Sequence, residues 1–154
     1  DRVDDALHAT QCALEDGVVP GGGIALLYAK QNVTISKDKS ENFQQGQRIV
    51  QQACSKPFEQ ILMNAGYTET DARMVAQHDL KNPKKNSWKG YNIKTRKVVD
   101  MKEAGILDPH KVTKNTLLNA ASIAGTILLT ECTVVDNPES KDKNDDSFNP
   151  SMMM

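Results

Sequence analysis

The sequence predicts a mainly α-helical fold, a helical bundle with a small β-hairpin and a terminal strand. Apolar and small residues recur at three- and four-residue spacing along most of the 154-residue chain. Glycine and proline punctuate that pattern about one helix length apart, and β-type composition is confined to two short stretches. Hydrophobic residues make up 38% and charged residues 25%, enough for one core and at most one domain.

The first helix is read from Val3, Ala6, Leu7, Thr10, Ala13 and Leu14, and Gly17 is a natural residue to end it. The stretch Gly17-Val18-Val19-Pro20-Gly21-Gly22-Gly23 then leads into a second helix, from Ile24 to about Lys30. Three successive glycines are costly in backbone entropy, so something should need the room. A helix start that offers free N–H groups makes phosphate the first candidate. The run is neither a dinucleotide fingerprint nor a Walker loop, since no Lys-Ser or Lys-Thr follows Gly23, and a plain interhelical turn is the default reading.

A third helix is expected from about Glu41 through Ile49, Val50 and Ala53, with Pro57 kinking it or opening a fourth that carries Phe58, Ile61, Leu62 and Ala65. Gly66 would close the fourth, and a fifth runs from Thr70 through Met74 and Val75. The polar stretch Lys81–Ser87 reads as a surface loop. Tyr91-Asn92-Ile93 and Lys97–Asp100, joined by Lys94-Thr95-Arg96, predict the hairpin. Asp108-Pro109 reads as N-cap and first helical residue of the longest helix, with Val112, Thr116, Ala120, Ile123 and Ile127 along one face. Cys132–Asp136 reads as a terminal strand that lacks a partner here, and the polar segment after Pro138 reads as disordered.

Composition also narrows function. A net charge of -1 argues against a nucleic-acid or anionic-membrane surface, and 5% aromatic content argues against base stacking. The three cysteines, Cys12, Cys54 and Cys132, lack a CxxC pair, so neither a zinc site nor a disulfide scaffold is indicated and a reducing compartment is the simple reading. His8, His78 and His110 do not cluster in sequence and read as surface or packing residues. No apolar run approaches the roughly 20 residues of a membrane span. The chain starts inside a helical pattern without Met, and is expected to be a piece of something longer.

Five blocks carry a resemblance: RVDDALHAT (2–10), EDGVVPGGGIAL (15–26), GYN (90–92), GILDPHKVTKNTLLNAASIAG (105–125) and LLTECTVVD (128–136). In this order and at these separations they resemble the C-terminal part of a group I chaperonin subunit, the GroEL type, over residues 1 to about 138. The resemblance implies the end of the intermediate domain and its hinge at 1–14, the C-terminal half of the equatorial ATP-binding domain at 15–138, and a tail at 139–154. It implies an ATPase whose cycle assists the folding of unfolded proteins, with identical subunits in stacked rings and a co-chaperonin of the GroES type. Localisation would be the bacterial cytoplasm or an organelle matrix.

By the same resemblance Gly22 is the glycine lying against the nucleotide, Asn92, Ile93 and Lys94 line the adenine, and Asp108 holds the ribose. Asp5 is the catalytic carboxylate, which positions the attacking water when the hinge closes. ATP comes with magnesium, but the phosphate loop, the magnesium-binding aspartate and the substrate-binding domain would precede residue 1. The chain alone would then carry half a site and be inactive. Without the resemblance, Asp4 and Asp5 are an ordinary acidic first turn of a helix and Asp108 is only an N-cap. Ile93 and Lys94 depart from the small residues usual after the asparagine, the basic loop at Lys81–Lys89 is longer than usual, and three methionines faintly echo the family's Gly-Gly-Met tail. The competing reading is a non-enzymatic helical assembly module that kept the scaffold; a Gly-Asp-Gly-Thr-Thr-like phosphate loop upstream in the same gene would separate the two.

Overall fold

The computed structural model describes residues 2–80 and 88–135. The loop expected at 81–87, the last residue of the expected terminal strand, Asp136, and the tail lie outside the described residues, as does the side chain of His78. In chain order the elements are α1 (Arg2–Asp16), β1 (Val18–Pro20), α2 (Ile24–Ala29), α3 (Glu41–Ala53), α4 (Lys56–Asn64), α5 (Glu69–Met74), β2 (Lys89–Asn92), β3 (Lys97–Asp100), β4 (Leu107–Pro109) and α6 (His110–Leu128). A 3-10 turn at Lys30–Asn32 extends α2, and a π-helical segment at Val75–Asp79 continues α5. The mainly α fold with a small hairpin is therefore as the sequence predicts.

The core forms where helical spacing brings apolar residues onto one face. Ile24 and Leu27 of α2, Phe58 and Leu62 of α4, and Ala72, Ala76 and Leu80 of α5 and its continuation are buried together with Met101, just after β3. Gly90 admits β2 to this cluster, because a Cβ there would stand only 2.5 Å from Cγ of Met101. The caps follow local chemistry: the Thr68 hydroxyl accepts from the Asp71 N–H at 3.1 Å, and Gly66 takes a left-handed φ of 91° to close α4. Pro57 occupies the first turn of α4, where a missing N–H costs nothing, so it opens the helix.

The hairpin is displaced by one residue from its expected register. Asn92 pairs with Lys97, which puts Ile93 in the loop with Lys94, Thr95 and Arg96. The Asn92 side chain explains this: its Oδ1 accepts from the backbone N–H of Lys94 at 3.0 Å and of Thr95 at 3.4 Å, an Asx turn that ends the strand.

Two expectations are corrected. Asp108 is not the N-cap of α6. It lies in β4, paired with Val19 of β1, and the helix begins two residues later at His110 because Pro109 keeps an extended ψ of 131°. The terminal strand is also absent among the described residues 131–135, which form no ladder and leave Val134 96% exposed. An isolated extended segment has no backbone partner, and β-type composition alone cannot supply one.

The antiparallel β1–β4 ladder, invisible in the periodicity, fixes α1 beside α6. It is extended by the His110 N–H donating to the carbonyl of Gly17 at 3.0 Å. Side chains add His110 Nδ1 to Asp16 Oδ2 at 2.8 Å, and Lys111 to Glu15. Glu15 and Asp16 at the end of α1 and Lys111 at the start of α6 each sit at the unfavourable pole of their own helix, and the Lys111–Glu15 pair offsets that misplacement. Neither helix buries a residue fully, and the predicted apolar face of α6 is largely open, with Ile123 61% and Ile127 66% exposed.

Candidate functional site

The glycine run is shaped by three different demands. Gly21 sits where its N–H donates to the Ile106 carbonyl at 3.0 Å, and a Cβ would press on the backbone of Ile106 and Leu107 at 3.1 Å. Gly23 has φ 79°, and a Cβ there would stand 2.7 Å from the Phe58 backbone nitrogen. Between them Gly22 has φ 66° and nothing within 4 Å of where a Cβ would lie. The outer two glycines thus seat the turn against β4 and α4, while Gly22 faces open space.

That space is a cavity of about 300 Å³. Gly22 borders it together with Tyr91, Asn92, Ile93 and Lys94 of the hairpin, and the apolar walls come from Phe58 and Ile61 of α4 and from Met101 and Ile106. The volume is at the lower end of the range for small-molecule pockets, and a mostly apolar lining with a few polar groups suits a flat heterocycle. Residues 91–94 are positioned by β2 and by the Asx turn of Asn92, so the same side chain that lines the cavity also sets the course of the loop.

Asp108 joins this group through its carboxylate, which accepts from the backbone N–H of Gly22. Its carboxyl is held above the usual carboxylate range: burial disfavours the charged form, and the Gly22 N–H only partly offsets that. A carboxylate has acceptor capacity beyond the one bond from Gly22, enough for two hydroxyl hydrogen bonds. Its place in β4, fixed by the pairing with Val19, aims it at the turn.

Gly22, Asn92, Ile93, Lys94 and Asp108 are therefore brought together from three separated parts of the chain. Asp5 is not. It is exposed in the first turn of α1, and at 1.5 Å rise per residue it lies about 18 Å along the helix from Gly17. Among the described residues no three His, Cys, Asp or Glu side chains gather in a way that could hold a metal ion. The walls from Phe58, Ile61, Met101 and Ile106 were not among the residues singled out from sequence. For Phe58 and Ile61 the only signal was membership of a helix, which does not distinguish a core residue from one bordering a cavity, and Met101 and Ile106 lie in a connection between strands with no periodic pattern.

These features sit in a chain whose residues 1–138 match the family model described as the TCP-1/cpn60 chaperonin family. The match covers most of the 154 residues and spans the cavity from the glycine turn through the hairpin, together with Asp108 bonded to Gly22. The protein belongs to the TCP-1/cpn60 chaperonin family.

Proposed function

We propose that the chain is the nucleotide-holding C-terminal part of a group I chaperonin subunit, with residues 1–14 ending the intermediate domain and residues 15–138 contributing to the equatorial domain. In this reading the assembled protein is an ATPase whose cycle assists the folding of unfolded proteins inside stacked rings of identical subunits, closed by a co-chaperonin. One observation carries the reading most directly: Gly22 and residues 92–94 line one cavity although the hairpin lies far in sequence from the glycine turn, and the Asp108 carboxylate is bonded to the Gly22 N–H at its edge. The exposed apolar faces of α1 and α6 support further contacts with polypeptide, in keeping with a ring subunit.

The cavity's residues fit a nucleotide. Apolar walls and the loop at 92–94 would take the base, the Asp108 carboxylate would accept from the ribose hydroxyls, and the backbone at Gly22 would lie against the ligand with no side chain between. The nucleotide supplies a phosphoanhydride as the free-energy source. No residue of this chain is assigned to magnesium.

Asp108→Asn tests the assignment with two readouts. The amide oxygen can still accept from Gly22, but hydrogen bonds to a charged acceptor are worth about 1.5–3 kcal/mol against about 1 for neutral ones. ATP affinity of the assembled protein, measured by titration calorimetry, should therefore fall about tenfold. Stability should change differently. The folded Asp108 has a pKa above its unfolded value, so its contribution is fully present below the unfolded value and is lost as pH rises through the raised folded value. The Asn variant lacks that loss, and should be at least as stable as the native chain above this window. Unchanged ATP affinity would remove Asp108 from the site.

A further inference from the structure

A second hollow lies on the far side of the hairpin, bordered by Gly66, Tyr67, Asp71, Met74, Val75 and Arg96, with a volume of about 580 Å³. The partition between it and the cavity at Gly22 is a pair of tyrosines. Tyr67 and Tyr91 meet edge to face with ring centroids 6.4 Å apart, and their hydroxyl oxygens are 3.2 Å apart. Tyr67 faces the second hollow and Tyr91 the first.

Arg96 gives this hollow its chemistry. It ends the hairpin loop at φ 54°, a left-handed conformation where glycine or asparagine is the ordinary choice, yet the residue is an arginine whose guanidinium stands 5.8 Å from the Tyr67 ring centroid. A cation–π contact takes up none of the N–H donors of a guanidinium, and these form the planar fork that matches a carboxylate. Among the described residues no carboxylate lies within ion-pair distance of Arg96. Asp71, the acid in the same lining, accepts instead from the Thr68 hydroxyl at 2.7 Å. In the same lining Met74 and Val75 offer apolar surface, with Met74 60% exposed and Val75 packed against the core. A thioether next to an aromatic wall is a favourable seat for another ring.

We propose that this hollow is a second ligand site, for a small planar carboxylate whose ring lies between Tyr67 and Met74 and whose carboxyl group is held by the fork of Arg96. An aromatic body with one anionic group satisfies each feature: the ring meets a tyrosine and a thioether, and the anion meets the cation that has no carboxylate partner among the described residues. A cationic ligand would face Arg96, and a purely apolar one would leave that fork desolvated.

The probes are benzoate and its neutral isostere benzamide, titrated against the full chain with the Tyr67 and Arg96 side-chain resonances observed by NMR. Benzoate should produce saturable shifts at both residues, and benzamide should bind at least tenfold more weakly. Arg96→Gly removes the fork while suiting φ 54°, so the chain should fold as before and lose at least tenfold in benzoate affinity. Met74→Glu, at an exposed position, places a like charge on the seat and should weaken benzoate but not benzamide. Equal binding of the two probes, unaltered benzoate binding by Arg96→Gly or by Met74→Glu, or shifts confined to residues outside this hollow would each overturn the proposal. The outcome does not depend on nucleotide binding at Gly22, so the two assignments fail separately.

Discussion

Gly23→Ala is expected to lower the stability of the fold by about 2–5 kcal/mol. Two costs combine. A left-handed backbone costs a non-glycine residue about 1–2 kcal/mol, and the native φ there is 79°. The new methyl would also lie 2.7 Å from the Phe58 backbone nitrogen, an atom that cannot turn aside as a side-chain end can. Relief requires α4 to move away from the turn, and overpacking of this kind costs about 1–3 kcal/mol. Phe58 is itself among the largest fully buried side chains, so the shift would be felt in the core. Gly22→Ala is the matched control: it carries a comparable φ of 66° but meets open space, and only the strain term of about 1–2 kcal/mol applies. Denaturant titration of the two variants measures the difference. Equal losses would mean that the close approach of α4 to the turn is not a constraint.

Asp5→Ala should leave ATP affinity of the assembled protein largely intact and reduce single-turnover hydrolysis by about 100-fold or more, the size typical of removing one positioned polar group from a transition state. In the proposed site Gly22, residues 92–94 and Asp108 would hold the ligand independently of α1, which is why binding should stay intact. Phosphoryl transfer depends mainly on positioning and charge, and a carboxylate that orients the attacking water would act only in the chemical step. In the structure Asp5 is exposed and remote from the cavity along α1, so this role requires that α1 or the segment bearing it close over the site. Asp4→Ala is the control. A charge in the first turn of a helix is worth about 1 kcal/mol or less to stability, and its loss should leave turnover unaltered. Native turnover by Asp5→Ala, or greater damage from Asp4→Ala, returns Asp5 to an ordinary helix-start carboxylate.

The α-helices were legible because each carries its own period and its own stops. Gly17 and Gly66 end helices with left-handed φ values, and Pro57 opens one, as local chemistry dictates. The β1–β4 ladder was not legible. Its two strands have three residues each, too few for an alternating pattern, and each includes a proline that donates nothing to the ladder. Missing the ladder is what misplaced Asp108: Asp-Pro before a long helix reads as cap and first residue, yet pairing with Val19 holds the carboxylate one step outside the helix and turns it to Gly22. The candidate site residues themselves came from the resemblance. Their convergence is a tertiary fact, since Gly22 and Asn92 come to border one hollow only through the packing that also brings α4 residues to it.

The central claim is that the cavity at Gly22 holds the base of a nucleotide, and photolabelling of the assembled protein with an azido-adenosine triphosphate tests it most directly. A light-activated azide on the base attaches to whatever side chain lies against it, and peptide mapping then locates the bond. The account predicts attachment within Tyr91–Lys94 or on the facing wall at Phe58 and Ile61, suppressed by excess ATP and weakened by Asp108→Asn. Labelling that ATP displaces but that maps elsewhere in the chain, or attachment that excess ATP fails to suppress, would contradict it.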